Sequence, residues 1–296
     1  MKLGTAPISW GVCELPDWGV VLPYRRVLDE MAALGYAGTE LGPWGYLPKD
    51  AKALGTELRA RELALAGAFC PVTLHDPERY EDQLRYAMET ARLLADLGAP
   101  VLVLAEAGDD AREKIAGRVR ASDAHFSEEQ WKRFAEGANE IARGARSLGL
   151  VTAFHPHAGT YVETPAEIDE LLRRTDASLV GLCLDTGHVA YGGGDPVALA
   201  RRDPKRVRHV HLKDMYRDRY ERALARKLDF TAAVGEDVFA PVGSGSVDMT
   251  GVLRALRDAG FDGWLIVEQD IRIAPGSDRD PRGDAAKSHS FVSQHL

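Results

Sequence analysis

Aliphatic runs and amphipathic segments take turns along the chain. The runs at 3–9, 37–41, 64–69, 101–105, 150–155, 179–184, 207–212 and 263–268 predict eight strands. Apolar residues recur at helical spacing over Tyr24–Leu34, Asp50–Arg61, Pro77–Leu97, Glu128–Leu148, Pro165–Arg174, Pro196–Arg202 and Met249–Ala259, with a last helix near Ala285–His295. Eight strand-then-helix units over residues 1–296 predict an α/β fold, a single (β/α)8 TIM barrel, rather than two doubly wound halves.

The punctuation between units is regular. Gly35, Gly98, Gly149 and Gly260 each close a helical stretch just before a strand, where a left-handed cap suits glycine. Ser127 followed by Glu129 and Gln130, and Thr164 with Glu167 three positions on, have the form of capped helix starts. No linker, low-complexity tract or repeat interrupts the alternation. The longest stretches without a clear helix, 106–126 and 214–247, both follow strands. They fall on the face where barrels place active sites, as lids would. The charged run from Arg217 to Lys227 reads equally well as a solvated helix.

Composition narrows the function classes. With 45% hydrophobic and 28% charged residues the chain has ample material for a core. A net charge of −8 argues against nucleic acid as a partner. Cys13, Cys70 and Cys183 are odd in number and lack CxxC spacing, which reads as reduced core thiols. Neither a basic leader with an apolar stretch nor a bilayer-length run is present, so no membrane partner and a cytoplasmic location are expected. Gly243-Ser244-Gly245 lacks the third glycine and preceding strand of a dinucleotide fingerprint, and there is no P-loop, so no nucleotide cofactor is expected. A Gly-x-Ser-x-Gly elbow is also missing.

The loops after the C-terminal strand ends of a barrel converge, so ionisable residues there are the first candidates for chemistry. Strand five ends in Phe154-His155-Pro156-His157, strand six in Leu184-Asp185-Thr186-Gly187-His188, strand seven in His209-Val210-His211-Leu212-Lys213 and strand eight in Val267-Glu268. Side chains two apart on a strand share a face, so His155 pairs with His157 and His209 with His211. Imidazole mixed with carboxylate suits a divalent metal of the Mn²⁺, Co²⁺, Zn²⁺ or Fe²⁺ kind.

Singly, each residue has a plainer reading. His209 can be a hydrogen-bonded structural residue, Asp185 a helix N-cap and Glu268 a buried salt-bridge partner. Together they are harder to assign to packing, because burying unpaired charge is costly. Glu40, in Gly38-Thr39-Glu40-Leu41-Gly42, reads as a contact for sugar hydroxyls or as an ion-pair partner inside the barrel. Trp10, Trp44 and Tyr46 read as platforms for a substrate ring or as core. Lys213 can polarise a ketone, relay protons or neutralise Asp214.

Six strings together resemble the xylose isomerase-like barrel superfamily, and within it the inosose dehydratases, from about residue 3 to 295. They are Thr5-Ala6-Pro7-Ile8-Ser9-Trp10, Gly38-Thr39-Glu40-Leu41-Gly42, His155-Pro156-His157-Ala158-Gly159-Thr160, Asp185-Thr186-Gly187-His188, His211-Leu212-Lys213-Asp214 and Glu268-Gln269-Asp270. The resemblance implies one divalent metal held from strands five to eight. Matching motifs carries the ligands to His155, Asp185, His211 and Glu268, with Mn²⁺ or Co²⁺ as first choice and Zn²⁺, Fe²⁺ or Mg²⁺ as alternatives. Glu163 stays open as a replacement for His155.

Many relatives carry glutamate where this chain has His155. In the ketose epimerases that glutamate and the one on strand eight form an acid/base pair. Without it the two-base route to stereochemical inversion is incomplete, whereas elimination needs one base at carbon and one acid at the departing hydroxyl. DNA-repair endonucleases with this barrel add histidines for a three-metal cluster. His188 matches one, but strands two and three end in Glu40 and Cys70, which excludes the full cluster.

The resemblance therefore implies a dehydratase that removes water from an inosose (a keto-inositol) or related keto-sugar through an enediolate. His188, Lys213, His157 and Glu268 are its catalytic candidates; Glu40, Trp10, His157, His188 and Lys213 are its substrate contacts. The expected partner is a small polyol ketone. Alternatives are a ketose isomerase or epimerase, a keto-glycoside eliminase, and a non-catalytic sugar-binding barrel. Related barrels are often oligomeric, which leaves a homo-oligomer open.

Overall fold

The computed structural model describes residues 1–296. Eight parallel strands close a barrel: β1 (Lys2–Thr5), β2 (Gly38–Glu40), β3 (Ala64–Val72), β4 (Val101–Glu106), β5 (Val151–His155), β6 (Val180–Asp185), β7 (Val207–Leu212) and β10 (Trp264–Val267). A two-stranded antiparallel ribbon, β8 (Asp214–Met215) with β9 (Phe239–Ala240), stands between β7 and β10 in the chain. Because β10 pairs with β1, the barrel has no open edge. The helices are α1 (Tyr24–Ala33), α2 (Ala51–Arg59), α3 (Tyr80–Asp96), α4 (Asp110–Glu113), α5 (Glu128–Ser147), α6 (Pro165–Arg174), α7 (Thr186–Tyr191), α8 (Pro196–Arg202), α9 (Arg217–Arg226), α10 (Phe230–Gly235), α11 (Met249–Asp258) and α12 (Pro281–His295). No helix is long and apolar enough to cross a membrane.

Local sequence explains most boundaries. Gly35, Gly98, Gly149 and Gly260 take φ between 69° and 88°, as left-handed caps require. Ser127 and Thr164 both form reciprocal capping boxes, with Gln130 and Glu167. The first strand is shorter than the apolar run 3–9. Pro7 has no N–H for a sheet ladder, and Pro7–Trp10 instead make a 3₁₀ turn closed by Gly11 at φ 74°. Helix α12 starts before the expected Ala285, because Asp280 accepts the Gly283 N–H at 2.9 Å and caps it.

The two long loops are pinned by buried carboxylates. After β4, Glu106 Oε2 accepts the N–H groups of Gly108 and Tyr161, each at 2.9 Å. Glu163 takes the N–H of Gly117 at 2.6 Å and of Gly159 at 2.7 Å, one on each oxygen. Arg112, fully buried, makes a two-pronged pair with Glu167 at 2.7 and 2.9 Å. Burial pushes the carboxyls of Glu106 and Glu163 up to about 7, against the pull of those N–H donors. The 214–247 loop carries α9 over most of the charged run, then α10.

Asp214 explains the Gly243-Ser244-Gly245 turn. Its carboxylate accepts N–H bonds from Gly243, Gly245, Val247 and Met215 at 2.8–3.0 Å, filling the cradle a phosphate would need. A Cβ at Gly245 would lie 2.3 Å from Asp214 Oδ1, so only glycine fits.

Candidate active site

At the C-terminal mouth of the barrel, the ends of β5, β6, β7 and β10 bring a set of buried ionisable residues together. Neighbouring strands pair Asp185 with His211, and Ile266 with His211, so residues from β6 and β10 flank the β7 imidazole. Asp185 Oδ2 lies 3.2 Å from His155 Nε2 and 3.7 Å from His211 Nδ1. Glu268 Oε2 lies 3.1 Å from His211 Nδ1. Such separations are those of atoms sharing one ion at about 2.0–2.2 Å. The Nδ1 atoms of His155 and His211 are buried and make no hydrogen bond. For His211 that bare nitrogen faces two carboxylates, which is the environment of a metal ligand. Asp185, His211 and Glu268 thus bring their ligand atoms within 4.8 Å of one another, a group that could hold a divalent cation, and His155 joins Asp185 from β5.

The motif Asp185-Thr186-Gly187-His188 is built to place Lys213. Thr186 Oγ1 accepts the Lys213 N–H at 2.9 Å and donates to its carbonyl at 2.8 Å, tying the ends of β6 and β7 together. A Cβ at Gly187 would come within 2.6 Å of Lys213 Cγ, so glycine leaves the side chain its path. Lys213 Nζ then meets Asp270 at 2.7 Å, His188 Nε2 at 3.0 Å, Glu268 at 3.2 Å and Asp185 at 3.5 Å. Burial works against its charge, but Asp185, Asp270 and Glu268 outweigh it and hold the ammonium above its usual range. Burial likewise opposes ionised Asp185, yet the Lys213 charge and the hydrogen bonds from His155 and His211 keep that carboxyl well below the usual range.

His157 and His188 form the other wall, their rings 3.8 Å apart. His157 Nδ1 donates to the Ala158 carbonyl at 2.8 Å, leaving Nε2 bare. Burial, then the nearby His155 and Lys213, pull its pKa down to about 3. His188 Nδ1 accepts the Ala158 N–H at 3.2 Å. Phe230, on α10, packs 5.3 Å from His157 and 5.5 Å from His188, bringing the 214–247 loop over the site.

The cavity these residues line has a volume of about 330 Å³. Of the residues expected from sequence, His155, His157, His188, His211, Lys213, Glu268 and Glu40 line it, while Asp185 sits behind them, fully buried. Trp10 departs from the expectation of a substrate contact. It is fully buried, and its indole N–H bonds Glu30 of α1 at 2.7 Å, away from the cavity wall. Trp44 and Tyr46 also lie outside it; Trp44 packs against Tyr86 and Tyr46 donates to the Leu22 carbonyl. Trp18 lines the mouth instead. Glu163, the alternative to His155, has both oxygens committed to backbone N–H groups. Lys213 turns to Asp270, leaving Asp214 to its own backbone cradle. Asp270 and Glu106 were given no role from sequence. For Asp270 the signal was there, since it stands two positions from Glu268 and so shares its face.

Fold and site together define a barrel enzyme class with a metal-fitting centre at the strand ends. The chain belongs to the xylose isomerase-like TIM barrel family, whose model matches residues 28–294. Among its relatives is the inosose dehydratase of Clostridium beijerinckii, 34% identical over 99% of this chain and 97% of that protein. Among solved structures, the IOLI protein with a bound zinc atom superposes with a TM-score of 0.71 at 17% identity, covering 100% of this chain and 98% of that one. The 3-keto-D-glucoside 4-epimerase YcjR of E. coli gives a TM-score of 0.72 at 17% identity over 99% of both chains. The last two establish the fold alone.

Proposed function

We propose that the protein is a metal-dependent hydro-lyase that removes water from an inosose or a closely related neutral keto-polyol. The observation that carries the reading is the end of β5: it brings the imidazoles His155 and His157, with His188 beside them, into the cavity at the position where the resemblance gives the epimerases a second carboxylate. Full-length kinship with an inosose dehydratase supports it. A divalent ion held by His155, Asp185, His211 and Glu268 would supply Lewis acidity toward the ketone, making the neighbouring C–H acidic. The rest of the work falls to the chain's own side chains. Bare His157 Nε2 is placed to accept a proton. Lys213, charged and bonded to Asp270, is placed to donate one to the departing hydroxyl. The C–H proton and the donated proton balance, and the hydroxyl leaves as water. Phe230 and Trp18 add apolar surface to the cavity wall.

The test is incubation of Mn²⁺- or Co²⁺-reconstituted protein with an inosose, followed by ultraviolet absorbance and NMR. An absorbing enone-type product that has lost water is expected. Solvent deuterium entering the substrate without loss of water would point to an isomerase or epimerase. No turnover with any divalent metal would remove the dehydratase reading.

A further inference from the structure

We propose that Glu40 is the positioning residue for His211, fixing its ring so that Nε2 keeps the proton and Nδ1 turns to Asp185 and Glu268. The inference rests on the reading that the site holds a metal, and gives Glu40 a role through His211 besides its place in the cavity wall. Glu40 Oε1 accepts N–H bonds from both His209 Nε2 at 2.6 Å and His211 Nε2 at 3.1 Å. All three residues are buried, at 1% exposure or less. His209 makes no other side-chain bond, since its Nδ1 has no partner; it serves to hold the carboxylate. A carboxylate can only accept here, so the His211 proton is confined to Nε2. The opposite nitrogen then presents its lone pair to the two carboxylates of the ligand set.

The backbone is shaped for this contact. The β2–β3 register slips between Thr39 and Glu40, which sets Glu40 opposite Gly67. A Cβ at Gly67 would stand 2.9 Å from the Val101 carbonyl, so glycine lets β3 and β4 approach closely where Glu40 sits opposite. Irregular register and a second histidine donor both bear on this one carboxylate.

The experiment measures metal binding without substrate. Mn²⁺ and Zn²⁺ dissociation constants are compared for wild type, Glu40→Gln and Glu40→Asp, with thermal melts of the metal-free proteins as a folding control. Glu40→Gln is expected to weaken binding roughly 10- to 100-fold, and Glu40→Asp, which keeps the charge, to recover part of it. In parallel, ¹H–¹⁵N spectra of zinc-loaded wild type should place the His211 proton on Nε2. That measurement decides the matter even if the glutamine variant fails to fold. Affinity within about twofold of wild type in a folded Glu40→Gln, or a His211 proton on Nδ1, overturns the proposal. Wild type that takes up no metal would instead remove the metal reading beneath it, and metal uptake without inosose turnover would remove only the dehydratase.

Discussion

Asp185 does two jobs with two oxygens. Oδ1 accepts the His188 N–H at 2.8 Å and caps α7, while Oδ2 faces His155 and His211. The helix-cap reading holds for Oδ1, and Oδ2 stays available for the metal proposed above. The two roles can be separated by Asp185→Asn, which keeps an oxygen for the cap but loses the anionic ligand. Metal-free variant and wild type should melt alike, while metal affinity falls by more than the roughly 10–100-fold typical of an outer-shell change and activity disappears. Tight metal binding by this variant, measured by elemental analysis after dialysis, would take Asp185 out of the ligand set. The residues that gather at the cavity end consecutive strands, where the fold forces convergence. Trp10 was misplaced because an aromatic just after a strand can turn inward or toward the mouth. The choice depends on a distant acceptor, Glu30, twenty residues away.

At the scale of elements, buried carboxylates that accept backbone N–H groups hold the loops after β4 and β5. Glu106 sits near 7 instead of its ordinary 4.5, so its contribution to stability is fully present below about pH 4.5 and is lost as the pH rises through 7. Glu106→Gln keeps an oxygen for the Gly108 and Tyr161 N–H groups but cannot ionise. Relative to wild type, the variant should gain on the order of 2–3 kcal/mol between pH 4.5 and pH 8, read from denaturant melts across that range. A stability difference that does not change with pH would mean that Glu106 ionises freely. Such stitching was illegible in the sequence. Glu106 ends an otherwise apolar run, Val101–Ala105, and its partners Gly108 and Tyr161 belong to different loops.

Across the whole molecule, negative charge gathers at the cavity. Lys213 is the one lysine or arginine in its lining, and it is already engaged by Asp185, Glu268 and Asp270. Glu14, Asp109, Asp110 and Glu113 line the outer part. A phosphorylated or carboxylated ketone would enter against like charges at a cost of several kcal/mol. Ketose phosphates should therefore inhibit turnover of a neutral inosose at least roughly 100-fold more weakly than an uncharged polyol ketone does. Comparable inhibition by the phosphate in steady-state assays would show that the outer carboxylates do not select by charge.

The sequence by itself determined the barrel, because eight alternating units with glycine caps and capping boxes are local patterns that any tertiary arrangement must respect. It also determined that imidazole and carboxylate meet at one rim, since residues ending neighbouring parallel strands have nowhere else to point. Only the tertiary structure decided which atom of each residue faces which partner. That choice turns on contacts between residues far apart in the chain: Glu40 with His209 and His211, Glu163 with Gly117, and Asp270 with Lys213. It took Glu163 away from the metal-fitting site by giving both its oxygens to backbone donors. It left His155 beside Asp185, where the resemblance had placed it.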